Sequence, residues 1–347
     1  MNKILYVPVL KWKKGEQEAL KNLFPEQKSK IIPLIEIIED EEPKTILDSL
    51  KNCYQNPIFI DTIQVEENDR AFLLTMLNIS RQTNQQLYPI FYFNDLNLET
   101  ISQLLSLTNR IAIKIPVPED IEGPTYEELF NTIKMFKENY TNTIIDLILD
   151  AGIITEKKDA NILLSVIKDI LNHHLLNKTF YNSIIISSTS LPENLSSILE
   201  AGDIKYFPRY DIKLFLNLIR DKNFISIVDR FVYSDYGVTK FTETDIDFSR
   251  LKYPILPKVR YTTYDEYIVL KGRRDHTLGK NIKDYADLAS EILNSNYYFG
   301  ENFSFGDSEI KERATGKKGP GNHTQWVTIS ANHHIAVVVS QLSNFSI

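Results

Sequence analysis

The chain reads as an α/β protein: a (β/α)8 TIM-like barrel with a C-terminal α+β region packed on it. Three observations predict this. Short, almost unbroken apolar runs recur along the first two-thirds of the sequence, the pattern of parallel strands buried on both faces. Helical-period segments separate the runs. Eight such units fill residues 1–222, near the roughly 30 residues that one βα unit needs, and eight consecutive units suggest closure into a ring.

The first strand candidate is "ILYVPVL" (4–10), followed by "GEQEALKNLF", whose Ala19, Leu20, Leu23 and Phe24 share a helical face. "IIPLIEI" (31–37) is the second. After it "TILDSLKNCY" puts Cys53 in step with Ile46, Leu47 and Leu50, a buried helical cysteine. "PIFIDT" (57–62), "LYPIFYF" (87–93) and "RIAIKIPV" (110–117) supply strands three to five. The helix "YEELFNTIKMF" then aligns Leu129, Phe130, Ile133 and Phe136. "TIIDLILDAG" (143–152), "SIIISST" (183–189) and "IKYFPRY" (204–210) complete the eight, the last followed by the helix "RYDIKLFLNLIRDK". An open doubly wound sheet shares the alternation, but no GxGxxG follows the first strand.

Residues 223–347 form an extension that is not expected to fold alone, since no Pro/Ser linker precedes it. In it "KVRYTTYDEYIVLKG" and "NHHIAVVVSQL" read as strands and "IKDYADLASEIL" as a helix. The formal charge of −7 disfavours nucleic acid as a partner held by the general field. One cysteine excludes an internal disulfide and a Cys-rich zinc site. The absence of a signal-peptide pattern and of a long apolar window leads to the expectation of a cytoplasmic protein without a membrane span.

Glu36 raises the functional question, because it is the one charged residue in the apolar run Ile31–Ile38, near its end. Alternate residues of a strand face opposite ways, so Glu36 shares the face of Ile32 and Leu34 at the C-terminal end of its strand. Barrel enzymes keep their chemistry at that end. Other strands switch to polar residues there too: Lys11, Asp61, Lys114, Asp150, Ser187 and Ser188, and Arg209. Three carboxylates and three cations converging on one cavity nearly cancel, which eases their burial. Asp146, mid-strand, is expected to pair with Lys114 or Arg209.

In the C-terminal region, "GDSEIKERATGKKGPGNHTQW" (306–326) reads as a long glycine-rich loop whose Lys317 and Lys318 lie between glycines, a setting for anion binding. It lacks the P-loop pattern, and no HExxH or deaminase zinc signature is present. Asp235 and Gly237 read as a turn, and Arg260 as a strand residue able to hold an anion or pair at the domain seam.

These residues also carry a resemblance. "YVPVLKWKKGEQEAL", "KIIPLIEI", "FIDT", "FPRYDI", "SDYGV", "VRYT", "YYFGENFSFGDSEI" and "GNHTQWVTISANHHI" resemble the Beta protein family of phages and bacteria over residues 5–342. The C-terminal motifs are the most specific: G-x-x-F-S-x-G-D at 300–307, G-N-x-T-x-W at 321–326 and N-H-H at 332–334. Tyr267 stands where the family pattern leads one to expect Trp. The resemblance implies a setting of phage–host conflict or antiviral defence and no particular reaction.

Two functional expectations follow. In the first, the mouth acts on a phosphate-bearing substrate such as a nucleotide or phosphoester. Glu36, Asp61, Lys114, Asp150, Arg209 and His333 are then the catalytic candidates. Lys11, Ser188, Asp235, Arg260, Asn322, His323, Trp326 and His334 are the substrate-binding ones. Carboxylates of the mouth could hold Mg or Mn. In the second, the 300–335 region is a contact surface for a phage or host macromolecule, and the protein is a non-enzymatic binder or sensor.

Overall fold

The computed structural model describes residues 3–38, 41–65, 69–97, 101–238, 256–275, 277 and 279–345. Eight parallel strands close a barrel in the order β1 (Tyr6–Lys11), β2 (Leu34–Glu36), β3 (Ile58–Asp61), β4 (Leu87–Phe91), β5 (Arg110–Pro116), β6 (Ile144–Ile153), β7 (Ser183–Thr189) and β9 (Phe231–Asp235). β9 pairs with both β7 and β1 and so seals the ring. The helices between staves are α1 (Lys14–Lys21), α2 (Pro25–Lys28), α3 (Pro43–Cys53), α4 (Asp69–Gln82), α5 (Ile101–Leu107), α6 (Tyr126–Asn139), α7 (Lys157–Ile170), α8 (Leu195–Ile198) and α9 (Tyr210–Ile219).

One stave differs from the expectation. β8 (Ile204–Pro208) is not in the barrel; it pairs antiparallel with β11 (Glu266–Lys271), which pairs with β10 (Lys258–Thr262). Exposure explains the difference. Ile204 and Tyr206 are 37% and 51% exposed, so β8 has one wet face, as antiparallel sheets tolerate. β9 is buried at every residue, as a barrel stave must be. The true eighth stave thus lies beyond residue 222.

The three-stranded sheet belongs to a cap. It also contains the hairpin β12 (Arg273–Asp275) and β13 (Lys280–Lys283), and helices α10 (Tyr285–Leu293), α11 (Phe305–Ala314) and α12 (His323–Ser343). The run "NHHIAVVVSQL", expected as a strand, is the second half of α12, which spans 21 residues. β-branched residues tolerate helix when packing rewards it, and α12 is buried on nearly all sides against α1, α11 and β10. Two glycines permit this closeness. A Cβ on Gly15 would sit 2.6 Å from Val327 Cγ1, and one on Gly306 2.4 Å from the Ile329 carbonyl. The expected long loop at 306–326 is mostly helical: α11 occupies 305–314, leaving only a short connection before α12. No helix among the described residues is long and apolar enough to cross a membrane.

Strand alternation divides the side chains. Ile60, Ile113, Leu147, Ile186 and Tyr233 point outward under the helices. Val9, Leu34, Phe59, Ile90, Ala112, Ile148, Ile185 and Val232 fill the barrel lumen.

Candidate active site at the barrel mouth

The lumen is layered along its axis. Below the apolar layer, Arg110 Nε meets Asp146 Oδ2 at 2.6 Å. Asn182 and Ser183 donate to Asp146 Oδ1, and the Arg110 guanidinium lies over Tyr88. Asp146 therefore pairs with Arg110 at the N-terminal end, not with Lys114 or Arg209, and this end reads as a structural plug.

Above the apolar layer lies the mouth. Lys11, Glu36 and Asp61 are register neighbours on β1, β2 and β3. Lys114 Nζ is 3.3 Å from Asp150 Oδ2 and 5.6 Å from the Tyr236 ring centroid. Tyr236 Oη donates to Asp150 Oδ2 at 2.5 Å, and Tyr92 Oη to Asp61 Oδ2 at 2.7 Å. Backbone N–H groups of Gly152 and Ile63 tie the other oxygens of Asp150 and Asp61. Five of the six expected mouth charges are thus brought together: Lys11, Glu36, Asp61, Lys114 and Asp150. Tyr92 and Tyr236 join them; the latter sits one residue beyond β9, a stave placed elsewhere in the sequence reading.

The electrostatics distinguish the carboxylates. Asp61 and Asp150 are each fixed by a tyrosine hydroxyl and a backbone amide. Glu36 is 6% exposed, and among the described residues no hydrogen bond holds its carboxylate. Burial pushes its pKa up to about 7; Lys114 and Lys11 pull it down, while Asp61 and Asp150 push it further up. Burial disfavours the Lys114 ammonium, but Asp150, Asp61 and Glu36 outweigh it and raise its pKa. Burial and the Asp61 charge raise the Tyr92 phenol, so it stays a donor. Burial thus raises the Glu36 carboxyl of the mouth toward neutrality.

A cavity of about 810 Å³ opens beside Tyr92 and Lys114. Its outer wall is acidic, with Glu119, Asp120, Glu122 and Glu128. Glu119 accepts from the Tyr126 amide, and Glu128 closes the α6 N-terminus with Thr125. No three His, Cys, Asp or Glu side chains among the described residues are grouped to hold a metal ion, so the Mg or Mn expectation gains no support.

Several candidates lie elsewhere. Arg209, just after β8, is fully buried in the seam between barrel and cap. Its Nη1 donates to the Thr263 carbonyl and Gln341 Oε1, its guanidinium lies over Tyr267, and Asp211 and Asp235 are each 3.8 Å away. Asp235 faces outward from β9 into this seam. It accepts from Tyr6 and Tyr233 and meets His334 Nε2 at 3.0 Å. Against the cost of burial, His334 and Arg209 bring Asp235 down to about 2. His333 Nδ1 meets Asp307 Oδ2 at 2.8 Å and its Nε2 meets the Thr262 carbonyl, with Tyr261 stacked on the ring at 3.9 Å. His333 and His334 are both wholly buried, away from the mouth's charged groups. Ser188 faces away from the lumen, opposite to Ser187, and its buried Oγ has no partner among the described residues. Asn322 caps α12 reciprocally with Gln325. Trp326 is 2% exposed, stacks on Tyr285 and donates to the Pro320 carbonyl. Lys318 pairs with Glu309 and Glu312, so it is no free anion ligand. Of the C-terminal candidates, Asn322 and His323 are exposed and Arg260 is partly buried.

The C-terminal motifs thereby acquire a physical meaning. Ser304 caps α11, Gly306 admits α12, and Asp307 holds His333 and Tyr261. Asn332 accepts from the Gly306 amide and donates to the Ala19 carbonyl. They lock cap to barrel.

No curated protein matches the chain. Among solved structures, TubZ of the Clostridium botulinum phage c-st aligns over 80% of this chain and 94% of that one, at 10% identity. Its TM-score of 0.22 carries no argument about fold or function. The family model described as Beta protein matches residues 6–340, nearly the whole chain, and the protein belongs to that family.

Proposed function

We propose that the protein is an enzyme whose C-terminal barrel mouth acts on a small phosphate-bearing molecule, a nucleotide or phosphoester, with Glu36 as general acid–base. One observation carries the reading: Glu36 is a buried carboxylate without a hydrogen-bond partner among the described residues, raised to about 7 beside Lys114, Asp61, Lys11 and Asp150. A group with its pKa near neutrality transfers protons best at that pH, and strongly perturbed carboxylates cluster at functional sites. Lys114 and Lys11 would meet the substrate's negative charge. The acidic wall of the adjoining cavity favours hydrogen-bond donors, such as a base amine, at the other end. The setting we propose, phage–host conflict, rests on the family resemblance alone.

The contact-surface alternative has less support, because Trp326, His333 and His334 are spent on internal packing. The test is a thermal-shift screen of nucleotides and phosphomonoesters, followed by turnover assays on those that bind. Glu36→Gln should keep binding and abolish turnover. Absence of any stabilising ligand, or full turnover by Glu36→Gln, would overturn the assignment.

A further inference from the structure

Four buried Nε atoms of arginine lack a hydrogen-bond partner: those of Arg209, Arg260, Arg274 and Arg313. Three of these guanidinium groups are anchored through other nitrogens. Arg209 reaches Thr263 and Gln341, Arg274 reaches the Gly279 carbonyl, and Arg313 reaches Gly319 and Glu309. Arg260 has no hydrogen bond or ion pair to any described residue. A guanidinium cannot shed its proton, and this one, partly buried with its Nε cut off from solvent, has none of its charge met by a protein partner among the described residues. Burial lowers its pKa, with only Tyr285 and Glu16 opposing.

The surroundings are cationic. Arg260 shares a face of β10 with Lys258 and Thr262. α12 packs on β10, and the first turn of α1 abuts α12, where Thr328 Oγ1 donates to the Gly15 carbonyl. Glu16 of α1 and His323 at the start of α12 therefore converge on the same place. Arg260 and Lys258 together lower the pKa of His323 below its ordinary value, after the effect of burial. Among the described residues, Glu16 is the carboxylate that the field of Arg260 reaches, and burial raises it to about 7 despite Lys13, Lys11 and Arg260. The charge of Lys11, at the mouth end of β1, reaches both Glu16 and Glu36, so Glu16 lies on the mouth side of the cap.

We infer that Arg260 is the anchor of an anion subsite on the cap side of the mouth, which takes the phosphate group of the ligand. The inference rests on the reading of the mouth as the ligand site and adds where the phosphate goes. A planar guanidinium grips phosphate through two parallel bonds, and Lys258 and Lys11 add positive charge around it, while His323 offers a ring nitrogen as a hydrogen-bond partner. The anchor comes from the cap, so the cap completes a site that the barrel alone leaves open.

The test uses the intact protein and inorganic phosphate at constant ionic strength, with chloride as the replaced anion. Melting temperature and isothermal titration give an apparent Kd for wild type, Arg260→Gln and Glu36→Gln. Phosphate should stabilise wild type and Glu36→Gln alike, while Arg260→Gln weakens binding about thirty-fold or more. Arg260→Gln should fold, since it removes an unpaired charge. Should it not, Arg260→Lys, which keeps the charge without the fork, is expected to bind phosphate several-fold more weakly. No phosphate response in wild type, or equal responses in wild type and the Arg260 variants, overturns the subsite. Loss of the response in Glu36→Gln alone would also overturn it and would place the anion in the mouth proper.

Discussion

Glu36→Gln should make the protein more stable above neutral pH, the reverse of what a structural carboxylate would do. The folded pKa of about 7 lies above the ordinary 4.5 of the unfolded chain. The folded state therefore holds a proton that the unfolded state has already lost between those values, and stability falls as pH rises through this window. At 1.36 kcal/mol for each tenfold change, the gap corresponds to about 3 kcal/mol. Gln mimics the protonated acid, so the variant escapes the loss. The gain should be about 3 kcal/mol at pH 8 and shrink toward zero by pH 4. Urea unfolding of both proteins at pH 4, 6 and 8 measures it, since the difference between them cancels every other titrating group. A pH-independent difference, or a variant less stable at pH 8, refutes the reasoning that Glu36 is buried at the expense of stability.

The seam should behave in the opposite sense. Asp235, at about 2 against an ordinary 3.8, contributes about 2 kcal/mol that is present in full well above pH 3.8 and lost as pH falls toward 2. His334→Ala leaves that buried carboxylate without the imidazole 3.0 Å away and should cost about 3–5 kcal/mol at pH 7, read by denaturant melts; a loss under 1 kcal/mol would show that the network is dispensable. Trp326→Ala should cost about 3–5 kcal/mol through a cavity between α10 and α12. A neutral result there would mean that the side chain is not packed as described and would return it to the pool of contact residues.

Much of this was legible in the sequence. Period-two alternation ending in charge located Lys11, Glu36, Asp61, Lys114 and Asp150, because a lumen residue and the mouth residue above it differ by two positions on the same strand. The same rule misplaced Ser188 and Arg209. Ser188 is one position out of phase with the lumen residue Ile185, and Arg209 follows a strand that left the barrel. The exposed Ile204 and Tyr206 are the cause: their alternation with polar or partly covered neighbours marks a half-wet strand, while "FVYSD" has the uniformly buried pattern of a stave. The run that carries the histidine pair reads as a strand because its β-branched residues favour one. Nothing local reveals that α12 is surrounded on all sides, nor that Asp235 and Asp307, distant in sequence, wait for its two imidazoles. Arg260 was visible as a candidate, but its isolation is a property of the tertiary environment alone.

The central claim is that the mouth keeps one titrating carboxylate poised near neutrality. Carbon-13 NMR of the glutamate carboxyl carbons, with Glu36→Gln to assign the signal, tests it most directly. The account expects the Glu36 resonance to titrate with a midpoint near 7; a midpoint close to 4.5 would contradict it and remove the acid–base role.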